Sequence, residues 1–295
     1  MEDNIQLGLM GYPLGHSYSR LLHERALQEL GKTGQYILWE IPPGEDAGTL
    51  LKKRISALRK GDVQGINITL PYKEQITPYL DSITRTAERI GAVNTIYWDP
   101  AEKQAVGDNT DAPAFWKDLK LFLPEGEKPG SALVLGAGGA ARAVCCQLLD
   151  RGWHVLAAAR RFDQAQALIQ DLGSDSAGKA APLSLLDADL PANADLQLIV
   201  NATSAGMYPN PRQSPWPAGW QLPASAAVYD LVYNPPLTAF LRQAQKAGLR
   251  TMNGLGMLVE QAALAFESWL GCPAPWEAMR KAVLDQSNKN TCSPE

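Results

Sequence analysis

The sequence predicts an α/β protein of two domains: an N-terminal α/β domain with a mostly parallel sheet, and a Rossmann-like dinucleotide-binding domain. Three observations predict it. The run Ser131-Ala-Leu-Val-Leu-Gly136-Ala-Gly138-Gly139-Ala140-Ala141-Arg142-Ala143-Val144 reads as a short apolar strand, a glycine turn and a helix opening in small residues. After it, apolar runs alternate with helical patterns, which implies a parallel sheet with right-handed crossovers. About 130 residues precede the run, enough for a domain with its own core.

Composition narrows the function classes. The 295 residues are 45% hydrophobic and 20% charged, ordinary for a globular protein. A net charge of −4 argues against a nucleic-acid binder. The four cysteines, Cys145, Cys146, Cys272 and Cys292, form no C-x-x-C pair and no zinc spacing, so no metal is expected. They fit a reducing, cytoplasmic compartment. The acidic start Met1-Glu-Asp-Asn is not a signal peptide, and no apolar run approaches the roughly 20 residues that span a bilayer. Asn288 to Glu295 reads as a frayed end.

In the first domain, Gln6–Tyr12 is a strand candidate that leads through Pro13-Leu-Gly-His16-Ser17-Tyr18-Ser19 into a helix over Arg20–Leu30, stopped by Gly31. Ser17 and Ser19 suit either of two roles: caps of that helix, or hydroxyls for a polyol or carboxylate ligand. A strand over Gln35–Ile41 and a helix over Glu45–Leu58 follow. In Gly65-Ile-Asn67-Ile-Thr69-Leu70-Pro71-Tyr-Lys73, period two puts Asn67 and Thr69 on one face and Ile66, Ile68 and Leu70 on the other. Lys73 falls just past the strand's C-terminal end, the edge where open α/β sheets bind ligands, although most lysines are simply solvated. Ile76–Ile90 has a helical pattern, and Ala92–Trp98 is a strand carrying Asn94. Gln104–Val106 then leads to Gly107-Asp-Asn-Thr-Asp111, where Asp111 is either a functional carboxylate or the N-cap of a helix over Ala112–Phe122. The Pro/Gly/Glu stretch Pro124–Gly130 reads as the domain boundary.

In the second domain, strands are expected at 132–135, 155–159, 181–184, 197–200, 227–231 and 250–252. Two of them end in polar runs, Asn201-Ala-Thr203-Ser-Ala-Gly-Met207 and Tyr233-Asn-Pro235. Between these runs, Tyr208–Pro223 is a proline- and tryptophan-rich loop. In the helix after Gly254-Leu-Gly256, Gln261 sits among apolar positions, so its amide needs a partner from a backbone group or a ligand.

The glycine turn has a chemical reading. Gly136 allows the tight turn and Gly138 lets the backbone approach a pyrophosphate. Gly139, Ala140 and Ala141 keep the helix start small, and its N-terminus offers unpaired N–H groups and a positive dipole end. Where an NAD enzyme carries an acidic residue after the second strand, this chain has Ala159-Arg160-Arg161. Two guanidinium groups suit a 2′-phosphate, so NADP is expected over NAD.

With these motifs in hand the chain resembles the shikimate dehydrogenase family over nearly its whole length. The motifs are Ser17-Tyr-Ser19, N-I-T-L-P-Y-K at 67–73, G-A-V-N-T at 91–95, D-N-T-D at 108–111, G-A-G-G-A at 136–140, N-A-T-S-A-G-M at 201–207, Y-N-P at 233–235 and G-M-L-V-E-Q at 256–261. The resemblance implies reversible, NADPH-dependent reduction of 3-dehydroshikimate to shikimate in aromatic amino acid biosynthesis. It makes Lys73 and Asp111 the catalytic pair. It assigns Ser17, Ser19, Asn67, Thr69, Asn94, Tyr233 and Gln261 to the substrate. To the cofactor it assigns Gly136, Ala137, Gly138, Gly139, Ala140, Arg160, Arg161, Thr203, Gly254 and Met257. It implies a substrate domain over 1–110 completed by C-terminal helices over 257–295, with an NADP domain over 111–256 between them. The expected partner is a small-molecule substrate, with no nucleic acid and no membrane, in a monomer or homodimer. The chain departs from the family pattern at Ala159, where Asn is usual, and at Arg161, where Thr is usual. The alternatives are a quinate/shikimate dehydrogenase with relaxed substrate or cofactor use, and a nucleotide-sensing protein without turnover.

Overall fold

A computed structural model describes residues 4–15, 17–173, 178–184 and 195–292. His16 of the loop before the first helix, and the last three residues of the expected frayed end, lie outside the described residues. The first elements are β1 (Ile5–Gly11), α1 (Ser19–Glu29), β2 (Gly34–Glu40), α2 (Ala47–Arg59), β3 (Gly65–Ile68), β4 (Ser82–Ile83), α3 (Arg85–Ile90), β5 (Thr95–Asp99) and β6 (Gln104–Asp108). The chain continues with α4 (Asp111–Phe122), β7 (Ser131–Leu135), α5 (Gly139–Asp150), β8 (His154–Ala159), α6 (Phe162–Gly173), β9 (Ala180–Ser184) and β10 (Leu196–Asn201). It ends with β11 (Ala227–Asp230), α7 (Ala239–Lys246), β12 (Thr251–Asn253), α8 (Leu255–Leu270) and α9 (Trp276–Cys292).

The chain divides into two compact units, one of residues up to Thr110 together with those from Val259 onward, the other of Asp111–Leu258. Pro124–Gly130 is a connection within the second unit, between α4 and β7. No helix among the described residues is long and apolar enough to cross a membrane.

The first unit holds a six-stranded sheet in the order β2-β1-β3-β5-β6-β4. The β1–β2, β1–β3 and β4–β6 pairs are parallel, while β3–β5 and β5–β6 are antiparallel. Met10, Ile66, Ile68 and Ile96 pack with Leu51, Ile55 and Leu58 of α2 on one face.

Three local expectations fail here. The helix expected over Ile76–Ile90 is a 3-10 turn at Thr77–Tyr79, then β4, then α3. Leu80 leaves that turn in extended backbone, with ψ of 158°, and Asp81 accepts from Ala105 N–H of β6 at 2.8 Å. Thr84 then caps a new helix by accepting from Ala87 N–H at 3.2 Å. Secondly, Leu70 is 55% exposed rather than sharing the face of Ile66 and Ile68, because β3 ends at Ile68 and the chain turns, Tyr72 N–H reaching Thr69 O at 3.0 Å. Thirdly, α9 runs on to Cys292, past the point where fraying was expected.

The second unit is a wholly parallel sheet in the order β12-β11-β10-β7-β8-β9. This is the doubly wound order of dinucleotide-binding folds. Helices on both faces bury its strands, which explains the unbroken apolar runs Ala132–Leu135 and Leu198–Val200. Register aligns the C-terminal edge: Ala158, Leu135, Asn201, Asp230 and Asn253 lie in one row across five strands. Four of the five chain segments that leave this row carry candidate cofactor residues, and the fifth, after β11, carries the substrate candidate Tyr233.

Candidate functional site

Each unit contributes a cluster at one end of its sheet. In the first unit, a series of side chains joins four of the seven expected substrate residues. Ser17 Oγ donates to Ser19 Oγ at 3.1 Å. The Ser19 side chain lies near the phenol of Tyr36 and partly offsets the upward push of burial on it. Tyr36 Oη donates to Asn67 Oδ1 at 2.8 Å, and Asn67 Nδ2 donates to Asn94 O at 3.2 Å. Asn94 Nδ2 donates to Thr110 Oγ1 at 2.9 Å, and Thr110 N–H returns a bond to Asn94 Oδ1 at 2.8 Å. Asn67, Asn94 and Thr110 are all buried, so each bond replaces water that the folded chain excludes.

Backbone bonds bring in Lys73 and Thr69. Lys73 O accepts from Val93 N–H at 2.8 Å, and Thr69 N–H donates to Met10 O of β1 at 2.9 Å. Short steps thus link the Lys73 backbone through Val93 and Asn94 to Thr110, the last residue of the first unit before Asp111 opens the second. Asp111 is the first residue of α4 rather than a residue outside it, and it is buried. A carboxylate in a helix's first turn is favoured by the dipole. Gln261 lies on α8, one turn after Met257.

Two residues of this cluster carried no signal in the sequence. Tyr36 sits in β2, 31 residues from Asn67, and only the β1–β2 and β1–β3 pairings bring them together. His23 is fully buried on α1, stacked on the Tyr36 ring at 4.6 Å and tilted against Trp269 at 4.9 Å. Neither of its ring nitrogens has a hydrogen-bond partner of good geometry. Burial pushes the imidazole down to about 3, against a weaker opposing pull from the nearby Asn67 side chain.

In the second unit, Gly136 has φ of 121°, a left-handed backbone that no other residue adopts without strain. Gly138 is the N-cap of α5 and supplies no side-chain cap bond. A Cβ there would meet nothing within 4 Å, so there is open space beside the turn. Gly139 is buried, and Ala137 and Ala140 are half-buried beside it. Arg160 and Arg161 follow β8 directly and are both exposed. These features fit a dinucleotide phosphate over the turn and a 2′-phosphate at the arginines.

The other side of the row is built around a buried carboxylate. Asp230 accepts from Asn201 Nδ2 at 2.7 Å and from Val232 N–H at 3.0 Å, and Thr238 Oγ1 donates to it at 2.6 Å. Burial pushes its carboxyl up to about 6, against the pull of these bonds. Thr203 bonds Asn201 Oδ1 through both its N–H, at 3.0 Å, and its hydroxyl, at 2.7 Å. Tyr233 is half-buried in the loop that Asp230 ties down. Gly254 and Met257 open α8, both buried. Asp118 of α4 accepts from Met257 N–H at 3.0 Å and from Tyr229 Oη at 2.5 Å. A charged residue among buried Ala114, Phe115 and Leu119 was a readable signal, and pattern reading passed over it.

Comparison with known proteins gives a consistent result. A family model described as the shikimate dehydrogenase substrate binding domain matches residues 9–96. Another, described as the shikimate 5′-dehydrogenase C-terminal domain, matches residues 254–284. A shikimate dehydrogenase (NADP(+)) of Methanopyrus kandleri is 39% identical, with 96% of each chain covered. The structure of shikimate 5-dehydrogenase from Thermus thermophilus, in complex with NADP(H) and shikimate, is 37% identical. It aligns with a TM-score of 0.79 over 95% of this chain and 99% of that one. A quinate dehydrogenase from Corynebacterium glutamicum in complex with NAD is 29% identical, with a TM-score of 0.83 over 96% and 99% of the two chains.

Proposed function

The chain belongs to the shikimate dehydrogenase family, and from that premise we propose how its own residues carry the reaction. The activity is the reversible, NADPH-dependent reduction of 3-dehydroshikimate to shikimate, an oxidoreductase step on a CH–OH group in the shikimate pathway. The observation that carries the assignment of residues is the row of polar side chains from Ser17 to Thr110, hydrogen-bonded from Tyr36 onward, which ends one residue before Asp111.

Ser17 and Ser19 present hydroxyls at the start of α1, suited to a carboxylate, and Asn67, Thr69 and Asn94 present amides and a hydroxyl to the ring hydroxyls. Tyr36 and Thr110 hold the two asparagines, so these groups meet a substrate already oriented. Tyr233 and Gln261 complete the substrate set. Gly136 to Ala140 receive the pyrophosphate, Thr203, Gly254 and Met257 lie toward the other end of the dinucleotide, and Arg160 and Arg161 select NADP. Bound there, the reduced nicotinamide supplies a hydride to the ketone carbon. Negative charge then builds on the ketone oxygen. Lys73 stabilises that charge and delivers the proton, with Asp111 as its acidic counterpart, an effect typically worth about 10² to 10⁴ in rate. We place the enzyme in a reducing, cytoplasmic setting, in keeping with Cys145, Cys146 and Cys272, which form no disulfide among the described residues.

The test is an absorbance assay of reduced cofactor with shikimate or quinate, each with NADP⁺ or NAD⁺. Shikimate with NADP⁺ gives the dominant rate, and Lys73→Ala lowers kcat by about 10² to 10⁴ with the KM for shikimate little changed. A signal only with quinate and NAD⁺ overturns the substrate reading. Wild-type turnover in Lys73→Ala removes Lys73 from the proton step, and silence in all four arms marks a nucleotide sensor.

A further inference from the structure

We infer that Asp118 is a positioning residue for the reacting end of the dinucleotide, acting through the first turn of α8. The inference rests on the reading that the second unit binds a nicotinamide dinucleotide.

Direction along the sheet edge comes first. Arg160 follows β8, and the glycine turn follows β7, its neighbour. A dinucleotide with its 2′-phosphate at β8 and its pyrophosphate at β7 continues past β10 and β11 toward β12. The distance from β8 to β12 is four strand spacings, about 19 Å. The first turn of α8, directly after β12, therefore lies at the end where the ring reacts.

That turn is held from outside its own helix. Two of the N–H groups that an α-helix leaves unpaired at its start find side chains: Leu255 N–H donates to Asn253 Oδ1 at 3.1 Å, and Met257 N–H donates to Asp118 Oδ2 at 3.0 Å. The same Asp118 oxygen accepts from Tyr229 Oη at 2.5 Å. The other, Oδ1, lies against Gly256 so closely that a Cβ there would stand 2.0 Å from it. The residue is 4% exposed, so the carboxylate is fixed by bonds and contacts on both oxygens. It also faces a helix N-terminus, where negative charge is favoured. Removing it frees the backbone of Gly256 and Met257 and leaves a buried N–H and a buried phenol unpaired.

The experiment compares Asp118→Ala, Asp118→Asn and Gly256→Ala with wild type. It measures turnover of shikimate with NADP⁺, and affinity for NADPH and for adenosine 2′,5′-bisphosphate, which reports the arginine end alone. Asp118→Ala lowers kcat by about tenfold or more, as a misplacement near 1 Å does. It weakens NADPH binding while leaving adenosine 2′,5′-bisphosphate within about twofold, since distant sites act independently. Gly256→Ala, which displaces the carboxylate while keeping it, reproduces the same pattern. Asp118→Asn keeps an acceptor oxygen and restores turnover to within about threefold of wild type. Unchanged turnover and NADPH affinity in Asp118→Ala overturn the inference, as does a parallel loss of the bisphosphate probe, which marks a merely structural role. A wild type without shikimate turnover strikes the underlying reading of the substrate instead, and the ratio of the two affinities then decides the inference by itself.

Discussion

Asp230 makes the stability of the second unit depend on pH in a direction opposite to the usual paired carboxylate. It is fully buried, and its carboxyl rises from 3.8 to about 6 although three hydrogen bonds favour the charged form. The folded state therefore binds the proton more tightly than the unfolded chain does. Between pH 3.8 and about 6 the native form holds more protons, so this contribution is fully present below 3.8 and is lost as pH rises through about 6. At about 1.4 kcal/mol per pH unit, the whole interval is worth about 3 kcal/mol, and the part between pH 4.5 and 7 about 2 kcal/mol. Asp230→Asn keeps an acceptor for Asn201 and Val232 and removes the titration. Urea unfolding of both proteins, followed by the fluorescence of buried Trp153 and Trp216, measures the difference at each pH. Wild type loses about 2 kcal/mol relative to Asp230→Asn on going from pH 4.5 to 7. A difference that stays constant across that range refutes the argument that burial dominates the hydrogen bonds here.

His23 gives the first unit the opposite slope: its folded value near 3 lies below the free value of 6.5, so stability is present above 6.5 and is lost as pH falls toward 3. His23→Phe, which keeps a stacked ring without buried nitrogens, retains about 3 kcal/mol at pH 4.5 that wild type loses, measured by urea midpoints at pH 4.5 and 7. Arg160→Ser with Arg161→Ser removes charge-assisted bonds worth about 1.5 to 3 kcal/mol each, so the preference in kcat/KM for NADP⁺ over NAD⁺ falls by about tenfold or more while the rate with NAD⁺ holds.

Legibility in the sequence followed the range of the interaction. The glycine turn was legible because its cause is local: the left-handed backbone at Gly136 and the small residues after it are contiguous with the strand and helix they join. The alternation from β7 to β12 was legible because the central strands carry unbroken apolar runs, Ala132–Leu135, Val155–Ala159 and Leu198–Val200. Ile76, Leu80, Ile83, Ala87 and Ile90 misled because their spacing matches a helix, while the bond from Ala105 to Asp81 that opens the segment comes from β6, more than twenty residues on. Ser17, Ser19, Asn67 and Asn94 could be named as polar residues at strand ends, but their joining through Tyr36 depends on two strand pairings that no local pattern encodes. The pairing of Asp118 with Met257 spans 139 residues and was invisible for the same reason.

Helix α4 ties these observations together. Asp111 is its first residue and Asp118 lies seven positions later, two turns on and on the same side, about 10.5 Å along the axis. The residue before the helix, Thr110, is held by Asn94 through its N–H at 2.8 Å and through its hydroxyl. Two turns on, Asp118 holds the start of α8. The spacing between the proposed proton-handling carboxylate and the turn proposed to carry the reacting end of the cofactor is therefore set by the pitch of one helix. A loop in that position would let each end relax separately. A hydrogen-bonded rod obliges them to move together, so a change that tilts α4 alters proton transfer and cofactor placement at once.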